Sequence, residues 1–185
     1  MNENIDFLNE INNNKFTGNE KETIDILGKK WKYECMGCQI MDGSIIPPGG
    51  IIYSGNKVAL AADPEVPIPG FLIINFKRHI RSFAETYEDE REEISNVIYY
   101  AEKALKELNI CNEVTLVQEE RSKHFHIWIF PNYAWMTEKH GKGVTYLRDI
   151  MNDSKINSNK EVIEEVLDVV DKVREYFEKN YKARK

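Results

Sequence analysis

The sequence predicts an α+β domain with a largely antiparallel sheet, a long helix between strands and a second helix near the C-terminal end. Three observations predict it. Short β-type runs separated by turn residues crowd the first half of the chain. One stretch with apolar positions three and four apart follows, and then two more strand-like runs. A second such stretch comes last, without the regular strand–helix alternation that a parallel sheet needs. Of 185 residues, 42% are hydrophobic and 30% charged, the balance of a soluble globular protein with one main core.

Residues 1–28 are polar and asparagine-rich, with scattered apolar positions at Ile5, Phe7, Leu8, Ile11 and Ile24, and read as a partly ordered lead-in. Residues 1–30 are therefore assigned to an N-terminal extension, 31–135 to the domain, and 136–185 to a C-terminal extension whose amphipathic helix packs on it. Asp42-Gly43 and Pro47-Pro48-Gly49-Gly50 punctuate the chain too heavily for a helix. Residues 51–53 and 58–62, separated by Ser54-Gly55-Asn56, form a hairpin. The three prolines of 63–70 make a rigid loop, and 71–74 is a continuously apolar buried strand.

Over residues 86–108 the positions Ile94, Val97, Ile98, Ala101, Ala104, Leu105 and Leu108 define one helix face, with acidic residues at the favourable N-terminal end. Residues 114–117 and 124–130 read as strands joined by the charged turn 119–123. Residues 160–181 carry Val162, Val166, Val169, Val170, Val173 and Phe177 on one helix face.

A net charge of −6 argues against a broad duplex nucleic-acid surface, although Lys77, Arg78 and Arg81 could together hold one phosphate. No apolar run is long enough to cross a bilayer, and the first residues lack the basic-then-apolar order of a signal peptide, so a cytoplasmic protein without membrane contact is expected. Of three cysteines, Cys35 and Cys38 form a Cys-x-x-Cys pair and Cys111 stands alone. That is a poor disulfide framework and suggests metal or redox chemistry. A redox pair should open a helix within a βαβ unit, whereas turn-forming residues follow this one, so the metal reading is preferred.

Two of the four histidines fall in 124–130. Side chains alternate along a strand, so His124, His126 and Trp128 share one face while Phe125, Ile127 and Ile129 occupy the other, which can be core. By themselves, two histidines on one strand face read as a hydrogen-bonded surface pair.

The run His124-Phe125-His126-Ile127-Trp128-Ile129-Phe130-Pro131 resembles the histidine triad (HIT) motif, His-φ-His-φ-His-φ-φ then proline, with φ apolar. Only Trp128 departs from it, in place of the third histidine. Upstream, the segment from Asp63 to His79 is similar to the family's aspartate, loop, strand and Pro-Lys-x-His stretch, with Phe76 for that proline. Cys35-Met36-Gly37-Cys38-Gln39-Ile40 resembles the cysteine pair with which many bacterial members begin. The resemblance covers about residues 33–131.

It implies a HIT-like fold and a nucleotide hydrolase or nucleotidyltransferase. Such an enzyme attacks the α-phosphate of a nucleotide or dinucleoside polyphosphate and passes through a nucleotidyl-histidine on His126. It further implies Asp63 at the ribose, a structural Zn2+ held by Cys35, Cys38, His79 and His124, and a homodimer. The alternative for that cluster is a metal-free relic of the site.

Phe71 replaces a histidine that often begins the strand, and residues 118–123 replace a glycine-rich phosphate loop. Trp128 carries an indole N–H and could contact the phosphoryl group as a donor. Arg121, Ser122 and Lys123 are either substitute phosphate contacts or a solvated turn. The rival to catalysis is a zinc-stabilised nucleotide-binding or regulatory protein without turnover. His140 could reach a phosphate from its glycine-rich loop but more simply is exposed. Tyr133 and Trp135 line a base pocket or serve core packing or a dimer contact.

Overall fold

Apolar residues of 58–62 and 72–76 are buried on both faces, and this places them at the centre of a sheet rather than at its edge. A computed structural model of the chain describes residues 20–118 and 123–182. Its elements are β1 (Lys21–Ile24), β2 (Lys30–Tyr33), α1 (Met36–Met41), β3 (Ile51–Ser54), β4 (Val58–Ala62), β5 (Leu72–Phe76), α2 (Glu88–Glu107), β6 (Val114–Gln118), β7 (His126–Pro131), α3 (Ala134–His140), α4 (Leu147–Ile156) and α5 (Lys160–Asn180). Strands β3-β4-β5-β7-β6 form an antiparallel sheet in that order, and β1-β2 a separate hairpin. The expected α+β class, long inter-strand helix and C-terminal helix are all present. None of the described helices is long and apolar enough to cross a membrane.

Helices α2 and α5 cover one face of the sheet. Leu72, Ile74, Ile127 and Ile129 meet Ile94, Val97 and Ala101 from α2 and Val166, Val170 and Val173 from α5. The three-and-four spacing read in the sequence is the stripe that makes these contacts. Helix α2 starts at Glu88 because the Glu90 carboxylate accepts the Tyr87 N–H at 2.8 Å, and α5 starts where the Asn159 side chain accepts the Val162 N–H at 2.9 Å. On the other face a second cluster joins Val66, Ile68, Phe71 and Phe130 to Met136 of α3 and to Leu147 and Ile150 of α4. That cluster covers only part of the face, and the rest carries the polar residues described below.

Several features depart from the sequence reading. The β1-β2 hairpin, α1, α3 and α4 were not foreseen, and β7 starts at His126, so His124 lies just before it. Cys35 is the N-cap of α1. The cysteine pair therefore does open a helix, which removes one reason for rejecting redox chemistry. The other reason stands, since the sheet is antiparallel and not βαβ. Helix α1 spans only six residues and stops at Asp42-Gly43, where Gly43 has φ +82°. Its length is too short for a periodic pattern to register.

Candidate functional site

Four residues remote in sequence converge at one end of the sheet. The ligand atoms of Cys35, Cys38, His79 and His124 all lie within 4.8 Å of one another. Cys35 Sγ is 3.6 Å from Nδ1 of both His79 and His124, and Cys38 Sγ is 3.2 Å and 3.4 Å from them. A tetrahedral zinc with Zn–S of about 2.3 Å and Zn–N of about 2.0–2.1 Å requires sulfur–nitrogen edges of about 3.5 Å. The donor set and its spacing therefore fit such an ion.

The tautomer fits as well. His124 Nε2 is 2.8 Å from the Phe76 carbonyl; a carbonyl only accepts, so Nε2 carries the proton and Nδ1 presents its lone pair to the sulfurs. Gly37 permits this arrangement. A Cβ there would fall 2.5 Å from His124 Cγ, so any side chain would push α1 off the imidazole. The Cys38 thiol, hydrogen-bonding to Cys35, pulls the Cys35 pKa down with help from His124, and the same bond and burial push Cys38 up.

Beside this cluster a pocket of about 290 Å³ opens on the half-covered face, lined among others by Asp63, Asn75, Lys123, His126, Trp128 and Met151. Register explains the grouping, because Asn75 sits opposite His126 and Ile73 opposite Trp128, and cross-strand partners face the same side. His126 Nδ1 is 3.0 Å from the His124 carbonyl. By the same argument Nδ1–H donates, and in the neutral ring the lone pair is on Nε2.

Asp63 is buried, and its Oδ1 accepts the Glu65 and Val66 N–H groups, each at 2.8 Å. Burial raises its pKa to about 6; the charge of Glu65 adds to the rise, while the two N–H bonds and Lys155 oppose it. Gly70, at φ +77°, makes the turn that returns the chain from this loop into β5.

Trp128, which departs from the triad pattern, and Phe71, at the entrance to β5, pack edge-to-face with centroids 5.6 Å apart at 88°. Phe71 also stacks edge-on against Phe130 at 4.9 Å. The Trp128 Nε1–H is buried and has no hydrogen-bond partner among the described residues. Lys123 is exposed at the pocket, whereas Arg121 and Ser122 lie outside the described residues.

Other candidates are drawn elsewhere. Arg78 is engaged by Glu90 at 2.8 Å and by the Glu85 carbonyl, so the basic cluster offers no open phosphate clamp through it. His140 pairs with Asp153 at 3.4 Å. Tyr133 donates to the Pro69 carbonyl at 2.8 Å, and neither it nor Trp135 lines the His126 pocket. Asn75, Gly37 and the hairpin residues Lys21 and Tyr33 escaped the sequence reading. Asn75 alone left a signal there, as one polar residue inside an apolar strand.

No family model matches the sequence, and no curated protein matches it. Solved structures do. The chain is similar to a hypothetical histidine triad nucleotide-binding protein from Sulfolobus tokodaii, with TM-score 0.58 and 18% identity over 81% of this chain and 100% of that one. It is similar to a Hit-like protein involved in cell-cycle regulation from Bartonella henselae, with TM-score 0.54 and 17% identity over 75% and 92% of the two chains. A zinc-bound histidine triad family protein from Mycobacterium smegmatis matches with TM-score 0.52 and 14% identity over 76% and 96%. At such identities the likeness speaks for architecture, and together with the sheet order and the helices it shows that the chain has the histidine triad fold.

Proposed function

We propose that the protein acts at the α-phosphate of a nucleotide or dinucleoside polyphosphate, with His126 as nucleophile and a structural zinc ion held by Cys35, Cys38, His79 and His124. One observation carries the reading. The His126 ring is fixed through Nδ1 by the His124 carbonyl at 3.0 Å, which gives Nε2 the lone pair at the floor of a pocket that also holds Asp63.

In the first step Nε2 donates its pair to phosphorus, a P–N bond forms, and the P–O bond to the leaving group breaks with that oxygen taking the electrons. In the second, the oxygen of water or of another phosphate attacks the same phosphorus. The P–N bond breaks as the new O–P bond forms, the pair returns to Nε2, and when water attacks, its proton passes through solvent to the departed oxyanion. Asp63 Oδ1 is occupied by its own loop, so Oδ2 is the atom assigned to the ribose hydroxyls. The Trp128 N–H and Lys123 are assigned to the phosphoryl oxygens, with Arg121 and Ser122 as further donors from the adjoining segment. The zinc ion, when bound, neutralises the thiolates and fixes the four side chains to one another. His124 in turn positions the carbonyl that orients His126.

A second reading, nucleotide binding without turnover, draws on the Trp128–Phe71 contact, which fills the third triad position and the strand-entrance position where a histidine often stands. Mixing the protein with candidate nucleotides and analysing it by mass spectrometry without acid separates the two. A nucleotidyl adduct that disappears in His126→Asn supports catalysis. Thermal stabilisation by nucleotide with neither adduct nor product supports binding alone. No adduct, no product and no stabilisation would sink both.

A further inference from the structure

We infer that the β1-β2 hairpin is the base-recognition wall of this pocket, with Tyr33 stacking on the nucleobase. The inference rests on the nucleotide reading above. Lys21 and Tyr33 are direct cross-strand partners, both line the pocket that holds Asp63 and His126, and such partners project to one side of a hairpin.

A two-stranded hairpin is marginal alone, but this one is clamped. The buried Asp25 carboxylate accepts the Leu27 and Lys29 N–H groups, each at 2.9 Å, and the Trp31 indole N–H at 2.8 Å, which ties the turn to β2. Thr23 Oγ1 donates to Glu65 Oε1 at 2.8 Å, and the Ile26 N–H donates to the Pro64 carbonyl at 2.9 Å. The other Glu65 oxygen accepts from Lys155 of α4 at 3.2 Å. One carboxylate thus fastens both the hairpin and α4 to the loop that carries Asp63. At its other end the hairpin runs through Glu34 directly into Cys35, so the cysteine–histidine cluster fixes Tyr33 from that side.

Geometry then dictates the ligand chemistry. With the α-phosphate at His126 and the ribose at Asp63, the base extends to the side of the sugar away from phosphate. Tyr33 is the aromatic ring that the hairpin contributes to the pocket lining, which also includes the apolar Val66 and Met151. A ring held by clamped backbone gives stacking with little ordering cost.

The test compares AMP with ribose 5-phosphate, which lacks the base, by calorimetry on the full chain. Parent, Tyr33→Ala, Tyr33→Phe and Lys21→Gln are measured, with melting temperature as the folding control. Tyr33→Ala should weaken AMP binding about ten-fold while ribose 5-phosphate binds as to the parent, and Tyr33→Phe should restore AMP. Lys21→Gln, beside Tyr33 on the base side, should leave AMP affinity and its dependence on salt as in the parent. Equal loss of both ligands in Tyr33→Ala, or undiminished AMP binding, overturns the stacking role, and a flattened salt dependence in Lys21→Gln overturns the placement of the base, rather than the phosphate, at the hairpin. A parent that binds neither ligand overturns the nucleotide reading itself, and the hairpin inference with it.

Discussion

His124 and His126 lie two residues apart and face the same side of the sheet, yet their surroundings are opposite in kind. His124 is buried, with Nδ1 against both cysteine sulfurs and Nε2 on the Phe76 carbonyl. His126 is half-buried at the pocket, with Nδ1 on the carbonyl of His124. One ring has both nitrogens committed to structure, which suits an anchor; the other is oriented through Nδ1 by a backbone carbonyl, which suits the nucleophile proposed above. The chain thus passes from the cysteine–histidine cluster to the pocket within two residues, and His124 orients His126 through one backbone carbonyl.

The largest expected effect is in the cysteine–histidine cluster. His124→Asn should lose bound zinc and cost roughly 3 kcal/mol, about 10 °C in melting temperature, because metal binding is coupled to folding. His126→Asn should keep its zinc and stay within roughly 0.5 kcal/mol of the parent. Zinc stoichiometry and melting curves of both variants check the contrast. A His124→Asn protein with full zinc content, or a His126→Asn protein that melts as early as it, would break it.

Asp63 sharpens the comparison on the pocket side, where polar groups are held at a cost. Its folded pKa of about 6 lies above the ordinary carboxylate value. The charged form is therefore disfavoured in the folded state, and stability falls as pH rises from about 4 through about 6. Asp63→Asn keeps an oxygen for the Glu65 and Val66 N–H groups but removes this titration. It should leave stability near that of the parent at pH 4 and raise it at pH 8, by roughly 3 kcal/mol at most, while weakening nucleotide binding. Melting curves at the two pH values check the sign. Destabilisation at pH 8 would show that the carboxylate is structural.

Legibility followed range. The alternation of 126–130, the periodic stripes of α2 and α5, and the hairpin of β3 and β4 depend on neighbours close in sequence and are legible there, although β7 begins at His126 rather than at His124. The convergence of Cys35, Cys38, His79 and His124 was readable only through family resemblance, since nothing local says that His79 approaches the cysteines. The orientation of His126 by the His124 carbonyl is a backbone event that no residue type announces. The β1-β2 hairpin was hidden because Lys21-Glu22-Thr23-Ile24 and Lys30-Trp31-Lys32-Tyr33 are mostly polar. They are held in place by hydrogen bonds to Pro64 and Glu65, some forty residues away. Helices α3 and α4 stabilise the fold by covering Phe71 and Phe130, a tertiary reason absent from their own short sequences.

Trp128 holds the smallest and most discriminating of the expected effects. As a wall residue it packs on Phe71, and as a donor it leaves a buried N–H without a partner among the described residues. Such a group costs about 1–3 kcal/mol if nothing ever satisfies it. Trp128→Phe keeps an aromatic ring against Phe71, deletes the orphaned donor and loses some packed volume. The gain and the loss oppose each other, so net stability should change by no more than about 1 kcal/mol. If the N–H meets a phosphoryl oxygen, the same substitution should weaken AMP binding roughly three- to ten-fold, the worth of one hydrogen bond of about 1 kcal/mol. Binding of adenosine, which has no phosphate, should not change. Calorimetry with both ligands reads the difference directly. Equal loss of AMP and adenosine would make Trp128 a packing residue of the pocket wall, and loss confined to AMP would make it a contact of the phosphoryl group.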